Sequence, residues 1–182
     1  MAQPASTEAP GLDPRRFRDV MGHFATGVTV VTYRHGEDTL GMTANAFMSV
    51  SLDPPLACLS VRRKARFAAA VGLGDRYGVN FLLESQETLS NHFGGRPAAG
   101  LEPRFGSLGG APTLDGSLAQ LVLRTVAIHE AGDHLLHLGR VEHLEQLVMG
   151  AQRKPLVFYS GAYQQVNLHT APRMFWAAQD GW

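Results

Sequence analysis

The chain has 182 residues, enough for one domain with a sizeable core, and its 45% hydrophobic content is ordinary for a soluble globular protein. Sixteen basic and sixteen acidic side chains cancel, so no net field draws it to nucleic acid or to an anionic membrane, and both are disfavoured as primary partners. The single cysteine, Cys58, rules out an intrachain disulfide framework and fits a reducing cytoplasm.

Residues 1–12 are rich in Pro and Ala, lack a basic start followed by an apolar stretch, and are expected to form a disordered tail. Asp13-Pro14 is a helix start, and Phe17, Val20, Met21 and Phe24 recur at helical spacing, predicting an amphipathic helix over 13–25. Gly27–Arg34 is dense in β-branched residues and predicts a strand. His35–Asp38 turns the chain, and Thr39–Ser51 is expected to return as one antiparallel strand ended by Pro54-Pro55.

Leu56–Val61 predicts a short buried strand, Phe67–Val71 a short helix and Tyr77–Leu83 another strand. Ser85–Phe93 is expected to be a helix capped by Ser85 and stopped by Gly94-Gly95. Residues 94–117 concentrate Gly and Pro and predict a long surface loop. Ser117–Glu130 alternates as a strand, Ala131-Gly132-Asp133 turns it, and His134–Val148 returns. Pro155–Gly161 is the last strand. Six or seven mostly antiparallel strands with three short helices predict a mainly β fold, a small closed or split barrel rather than a doubly wound sheet.

Four stretches could carry chemistry. Gly41–Leu56 places Thr43, Asn45 and Ser49 among apolar and small residues. That is either the wall of a site for a planar ligand or an ordinary strand. Arg62-Arg63-Lys64-Ala65-Arg66 puts four cations in five residues just past a buried strand, a phosphate cradle or a solvated basic turn. Gly132-Asp133-His134 is a hairpin tip that either carries a His near a reacting centre or simply satisfies turn geometry. His92 ends a helix, where a dipole partner is the bland reading. Metal binding is disfavoured. His129, His134, His137 and His143 do not share one strand face, and no HExxH or CxxC occurs. Gly72–Gly78 has the wrong spacing for a dinucleotide fingerprint and precedes a strand.

The ordered series Phe24–Thr32, Met42–Phe47, Ser49–Leu56, Tyr77–Leu82, Gln86–Phe93, Leu114–Gly116, Ala131–His134, Pro155–Tyr159 and Gly161–Tyr163 resembles the short-chain flavin reductases, reductase components of two-component flavin-dependent monooxygenases. The match runs from about residue 13 to 166, so the domain is drawn as 13–168 with a C-terminal tail over 169–182. The resemblance implies a homodimeric FMN-binding split β-barrel of Greek-key antiparallel strands. It also implies hydride transfer from NADH (or NADPH) to FMN (or FAD), and a partner monooxygenase that receives the reduced flavin.

The residues it assigns to the cofactor are Met42, Thr43, Ala44, Asn45, Ser49, Val50, Ser51, Ser60, Arg62, Lys64, Ala65, Arg66, Asn80, Phe81, His92 and Phe93. His134 and Asp133 are its catalytic candidates, with His134 positioning the nicotinamide rather than moving a proton. Relatives often carry Ser or Thr where this chain has Ala65 and Phe67, which leaves more of the phosphate to Arg62, Lys64, Arg66 and backbone amides. Two other functions stay open: an oxidase or oxygenase of the same fold that keeps its flavin, and a flavin-binding electron carrier without a nicotinamide site.

Overall fold

The computed structural model describes residues 11–147 and 154–167. The expected tail over 169–182, and all but the last two residues of the expected tail over 1–12, lie outside them. Helix α1 (Pro14–Gly22) starts where the Asp13 carboxylate accepts from the Arg15 amide at 3.0 Å. It stops short of residue 25 because the His23 and Phe24 amides turn back to the Val20 and Met21 carbonyls. Its apolar stripe is left open by the described residues: no α1 residue is buried, and Phe17 and Val20 are 57% and 62% exposed.

The chain continues through β1 (Thr26–Gly27), β2 (Thr29–His35), β3 (Asp38–Ala44), β4 (Phe47–Leu52), β5 (Pro55–Arg62), α2 (Arg66–Ala70) and β6 (Arg76–Phe81). A 3-10 turn (Glu84–Gln86) leads into α3 (Glu87–Phe93), then β7 (Phe105–Leu108), β8 (Ala111–Leu114), β9 (Ala119–Ala131), β10 (His134–Gln146), β11 (Val157–Tyr159) and β12 (Ala162–Gln164). Seven strands form one antiparallel sheet in the order β3-β2-β6-β9-β10-β5-β4.

The two edges of that sheet, β3 and β4, are consecutive in the chain. Only Asn45 and Ala46 separate them, a span of roughly 10 Å at full extension. The sheet must therefore curl until its edges approach, which makes a barrel split along one seam. Thr39–Ser51 is thus two strands, not the single return strand expected. It pairs with β2 as far as Ala44, leaves the ladder, and resumes against β5 at Phe47. The Ser60 amide donates to the Ala46 carbonyl at 3.0 Å and pins the crossing.

Val31, Tyr33, Leu59, Val61, Tyr77, Val79 and Leu123 fill the interior. Phe67 of α2 plugs it, meeting the rings of Tyr33, Tyr77 and His137 edge-on at 5.2, 5.3 and 5.0 Å. A second cluster, Val28, Val30, Leu82, Leu114 and Leu156, packs on the other side of β2. Covered on both faces, β2 is buried from Thr29 to Tyr33, so it shows β-branched density rather than alternation.

Residues 94–117 are not simply a surface loop. They contain the β7–β8 hairpin, and β8 is buried throughout. Pro112 sits in β8 without cost to the main ladder because it contributes a carbonyl, accepting from the Thr32 hydroxyl at 2.6 Å. A side chain at Gly78 would collide with that carbonyl, so glycine is required there. Ser85 does not cap α3. The longer Gln86 side chain reaches the Leu83 amide at 2.9 Å and ends the preceding strand instead.

Candidate functional site

Strand alternation decides what faces outward. On β5, Ala57, Leu59 and Val61 are buried while Cys58, Ser60 and Arg62 point to the outer wall. On β10, Leu136 pairs with Ser60 and His134 with Arg62, so these four share that wall. Met48 of β4 lies beside Cys58.

Alpha1 and the β11–β12 turn stand against this wall and leave a groove of about 960 Å³. Asn45, Ala46, Met48, Cys58, Ser60 and Leu136 form one side, and Phe17, Met21, His23, Phe24, Phe158 and Gly161 the other. The turn is fastened to α1 by the Ser160 amide donating to the Gly22 carbonyl at 2.8 Å, and by a 3.1 Å hydrogen bond between His23 Nδ1 and the Tyr159 hydroxyl. Asn45 also borders two adjoining cavities, and Phe158 connects the groove to a polar pocket of about 550 Å³ at Thr43, Ser90, Asn91, Arg96 and Tyr163.

Polar groups without partners gather here. Neither the Asn45 amide nor the Ser60 hydroxyl makes a side-chain hydrogen bond among the described residues. Thr26 Oγ1, on the α1 side, is buried with no partner among the described residues. Thr43, by contrast, spends its hydroxyl on the Ser90 carbonyl at 2.6 Å, which binds β3 to α3.

Of the residues singled out in the sequence, the groove collects Asn45 and Ser60, and Thr43 and Ala44 line the side pocket next to Asn45. Phe81 backs Asn45 through a further cavity and packs on Phe47. Ser49, Val50 and Ser51 lie further along β4, past the groove lining. Met42 packs against the barrel core. Asn80 is fully buried and its amide is spent: it donates to the Val30 carbonyl at 2.8 Å and the Thr32 hydroxyl at 3.0 Å, and accepts from the Leu114 amide at 2.7 Å. It tethers β8 to the barrel and holds no group free for a ligand. His92 accepts from the Ala98 amide, and Phe93 lies under Gly41 and against Phe105.

The basic turn and the Gly-Asp-His turn meet at the end of the same wall. Arg62, Lys64 and Arg66 form no ion pair among the described residues, whereas Arg63 bonds Glu130 and Gly132. Ala65 occupies the N-cap of α2 and provides no side-chain cap. His134 Nδ1 lies 2.8 Å from the Asp133 carboxylate, and that hydrogen bond holds the carboxyl below its ordinary range. His137, inside the barrel, has no partner on either ring nitrogen among the described residues, and burial pushes its imidazole pKa down.

The profile of the flavin reductase like domain matches residues 21–167. The chain belongs to that family. A flavin reductase like relative, the NADH-dependent flavin reductase of Rhodococcus sp, is 41% identical over 171 residues, 92% of this chain and 95% of the relative. The reductase component of 4-hydroxyphenylacetate 3-monooxygenase from Thermus thermophilus is 39% identical over 150 residues, 82% and 95% of the two chains. The solved structure of flavin reductase PheA2 in its native state superposes with a TM-score of 0.77 at 39% identity, covering 86% of this chain and 99% of that one.

The side of the groove formed by α1 and the β11–β12 turn was not singled out from the sequence as a site. The helical spacing of Phe17, Val20, Met21 and Phe24 was the available signal on one half. On the other it was the Ser160-Gly161 dipeptide, a turn signal by composition, and both residues take positive φ.

Proposed function

We propose that the groove receives the ring system of FMN or FAD, and that the chain is an NAD(P)H:flavin oxidoreductase handing reduced flavin to a partner monooxygenase. The observation that carries this is the pairing of unspent polar groups, Asn45 and Ser60, with flat apolar walls at Phe24, Phe158 and Leu136. A planar, polar-edged ligand matches that set. Thr26 Oγ1, without a partner among the described residues, is a further group that a ligand could engage. Ala46 and Gly161 add little bulk to the groove walls.

The flavin, when bound, supplies the hydride-accepting chemistry. The chain's residues bind and orient. Asn45 and Ser60 hold the polar edge of the ring, and Arg62, Lys64 and Arg66 attract the phosphate. His134, tied to Asp133, positions the nicotinamide at the same end of the wall. No side chain is required to move a proton. The activity needs proximity, which two rings stacked in the groove provide, and exclusion of water.

The second half of the reading is a homodimer in a reducing cytoplasm. The α1 stripe and Met48, which is 61% exposed, flank the open side of the groove, and an exposed apolar surface of this kind marks an association site. A second copy closing over the groove would shield a bound ring from solvent.

The test is NADH consumption under air with excess FMN. Steady loss of NADH supports the assignment, and flavin binding with no NADH loss overturns it. Sedimentation should give twice the 19.7 kDa chain mass. Val20→Asp should shift it toward the monomer and weaken flavin binding; a dimer that ignores this change would remove α1 from the interface.

A further inference from the structure

Four cations run from the last residue of β5, Arg62, through the turn at Arg63 and Lys64 to the first residue of α2, Arg66, and they do not do the same thing. Arg63 alone is committed to another turn. Its Nε donates to the Gly132 carbonyl at 2.9 Å, its NH1 meets Glu130 Oε1 at 3.0 Å, and its backbone amide donates to the Asp133 carbonyl at 3.1 Å. The two carbonyls it holds belong to successive peptides immediately before His134. Gly132 sits at φ +61, so the tip is a tight turn whose carbonyl directions are set by backbone geometry, and Arg63 fixes both. The β5–β10 ladder itself ends one step earlier, at Arg62 opposite His134.

We propose that Arg63 is a positioning residue: it clamps the basic turn to the Gly-Asp-His turn and so sets the distance between the site of the flavin phosphate and the His134 imidazole. This rests on the flavin reductase reading above. A guanidinium suits the role because its planar fork serves a carbonyl and a carboxylate at once, which an ammonium cannot do in the same geometry. The Glu130 contact, with both partners largely exposed, adds direction more than stability. The division of labour follows: Arg62, Lys64 and Arg66 stay free for a ligand, and Arg63 is kept from it.

The test uses the full-length protein with FMN and NADH. Arg63→Ala should lower kcat roughly ten- to hundredfold, because a small misplacement of two reacting rings weighs heavily on hydride transfer. FMN Kd and the melting midpoint should stay near wild type. The isotope effect with NADH deuterated at the transferred position should grow, since hydride transfer becomes the slow step. Free guanidinium should restore part of the rate. Glu130→Gln, which breaks the clamp from the other side, should move kcat and the isotope effect in the same direction by less. The proposal is overturned if Arg63→Ala instead weakens FMN relative to riboflavin at unchanged kcat, which would make Arg63 one more phosphate contact. An unchanged isotope effect in both variants overturns it as well. A wild-type protein that binds FMN but does not oxidise NADH ends the flavin reductase reading itself, and the clamp with it. An active wild type with indifferent variants ends only the clamp.

Discussion

His134 stands directly opposite Arg62 at the end of the β5–β10 ladder, two residues along from the Leu136–Ser60 pair that lines the groove. The turns assigned to nicotinamide and to phosphate therefore share one rigid edge. His134→Ala should raise the NADH KM by roughly tenfold while the FMN Kd moves much less. The reverse ordering in steady-state kinetics and flavin titration would remove His134 from the nicotinamide site.

The phosphate assignment separates by ligand. Arg62→Ala and Arg66→Ala should each weaken FMN by roughly tenfold and leave riboflavin, which has no phosphate, nearly unchanged. Equal losses on both ligands in fluorescence titrations would place these side chains elsewhere.

Asn45 is exposed and its side chain is unbonded among the described residues, so Asn45→Ala should leave the melting midpoint within a degree or so of wild type. Flavin affinity should fall by roughly tenfold, about 1.4 kcal/mol, through the lost contact to the ring edge. A large drop in melting midpoint with unchanged affinity would make Asn45 a structural residue of the seam.

Asn80 is the converse case. Asn80→Ala strands the Leu114 amide in a buried setting and takes a donor from the Val30 carbonyl and from the Thr32 hydroxyl, which keeps its own bond to Pro112, and should cost about 2–4 kcal/mol in urea unfolding. The KM values of whatever remains folded should match wild type. Unchanged stability with a raised flavin Kd would return Asn80 to the ligand.

His137 links stability to pH. Burial lowers its folded value below the ordinary 6.5, so the unfolded chain binds more protons in the window just beneath that value. Stability is complete above about pH 6.5 and is lost as pH falls through the window toward the folded value. Urea midpoints should decline between about pH 7 and 5.5 in the wild type and decline less in His137→Leu. Identical slopes would mean that the buried imidazole is not the titrating group.

Much of this was legible in the chain, for reasons that differ by element. β9 and β10 show their alternation because each has one wall inside the barrel and one outside it. The basic turn and the Gly-Asp-His turn stand out by composition alone. The break at Asn45 does not, because β3 and β4 carry the same local pattern and differ only in which distant strand they pair with. The β7–β8 hairpin hid behind Gly109, Gly110 and Pro112, residues that punctuate loops and hairpins alike. Asn80 looks like a ligand residue until its three partners, drawn from β2 and β8, are seen to surround it. Residue-by-residue reading finds the chemistry of a turn; it does not find the company a side chain keeps across fifty positions.

The two-residue crossing at Asn45–Ala46 has an evolutionary corollary. It is a tether of fixed length that closes the barrel and presents the ligand wall with the same few atoms. An insertion there would slacken the seam and displace the wall together, so selection on architecture and on binding falls on one short segment. Length variation in this lineage should accumulate instead between Ala98 and β7, past the residues of that connection that line the adjoining pocket or bond α3.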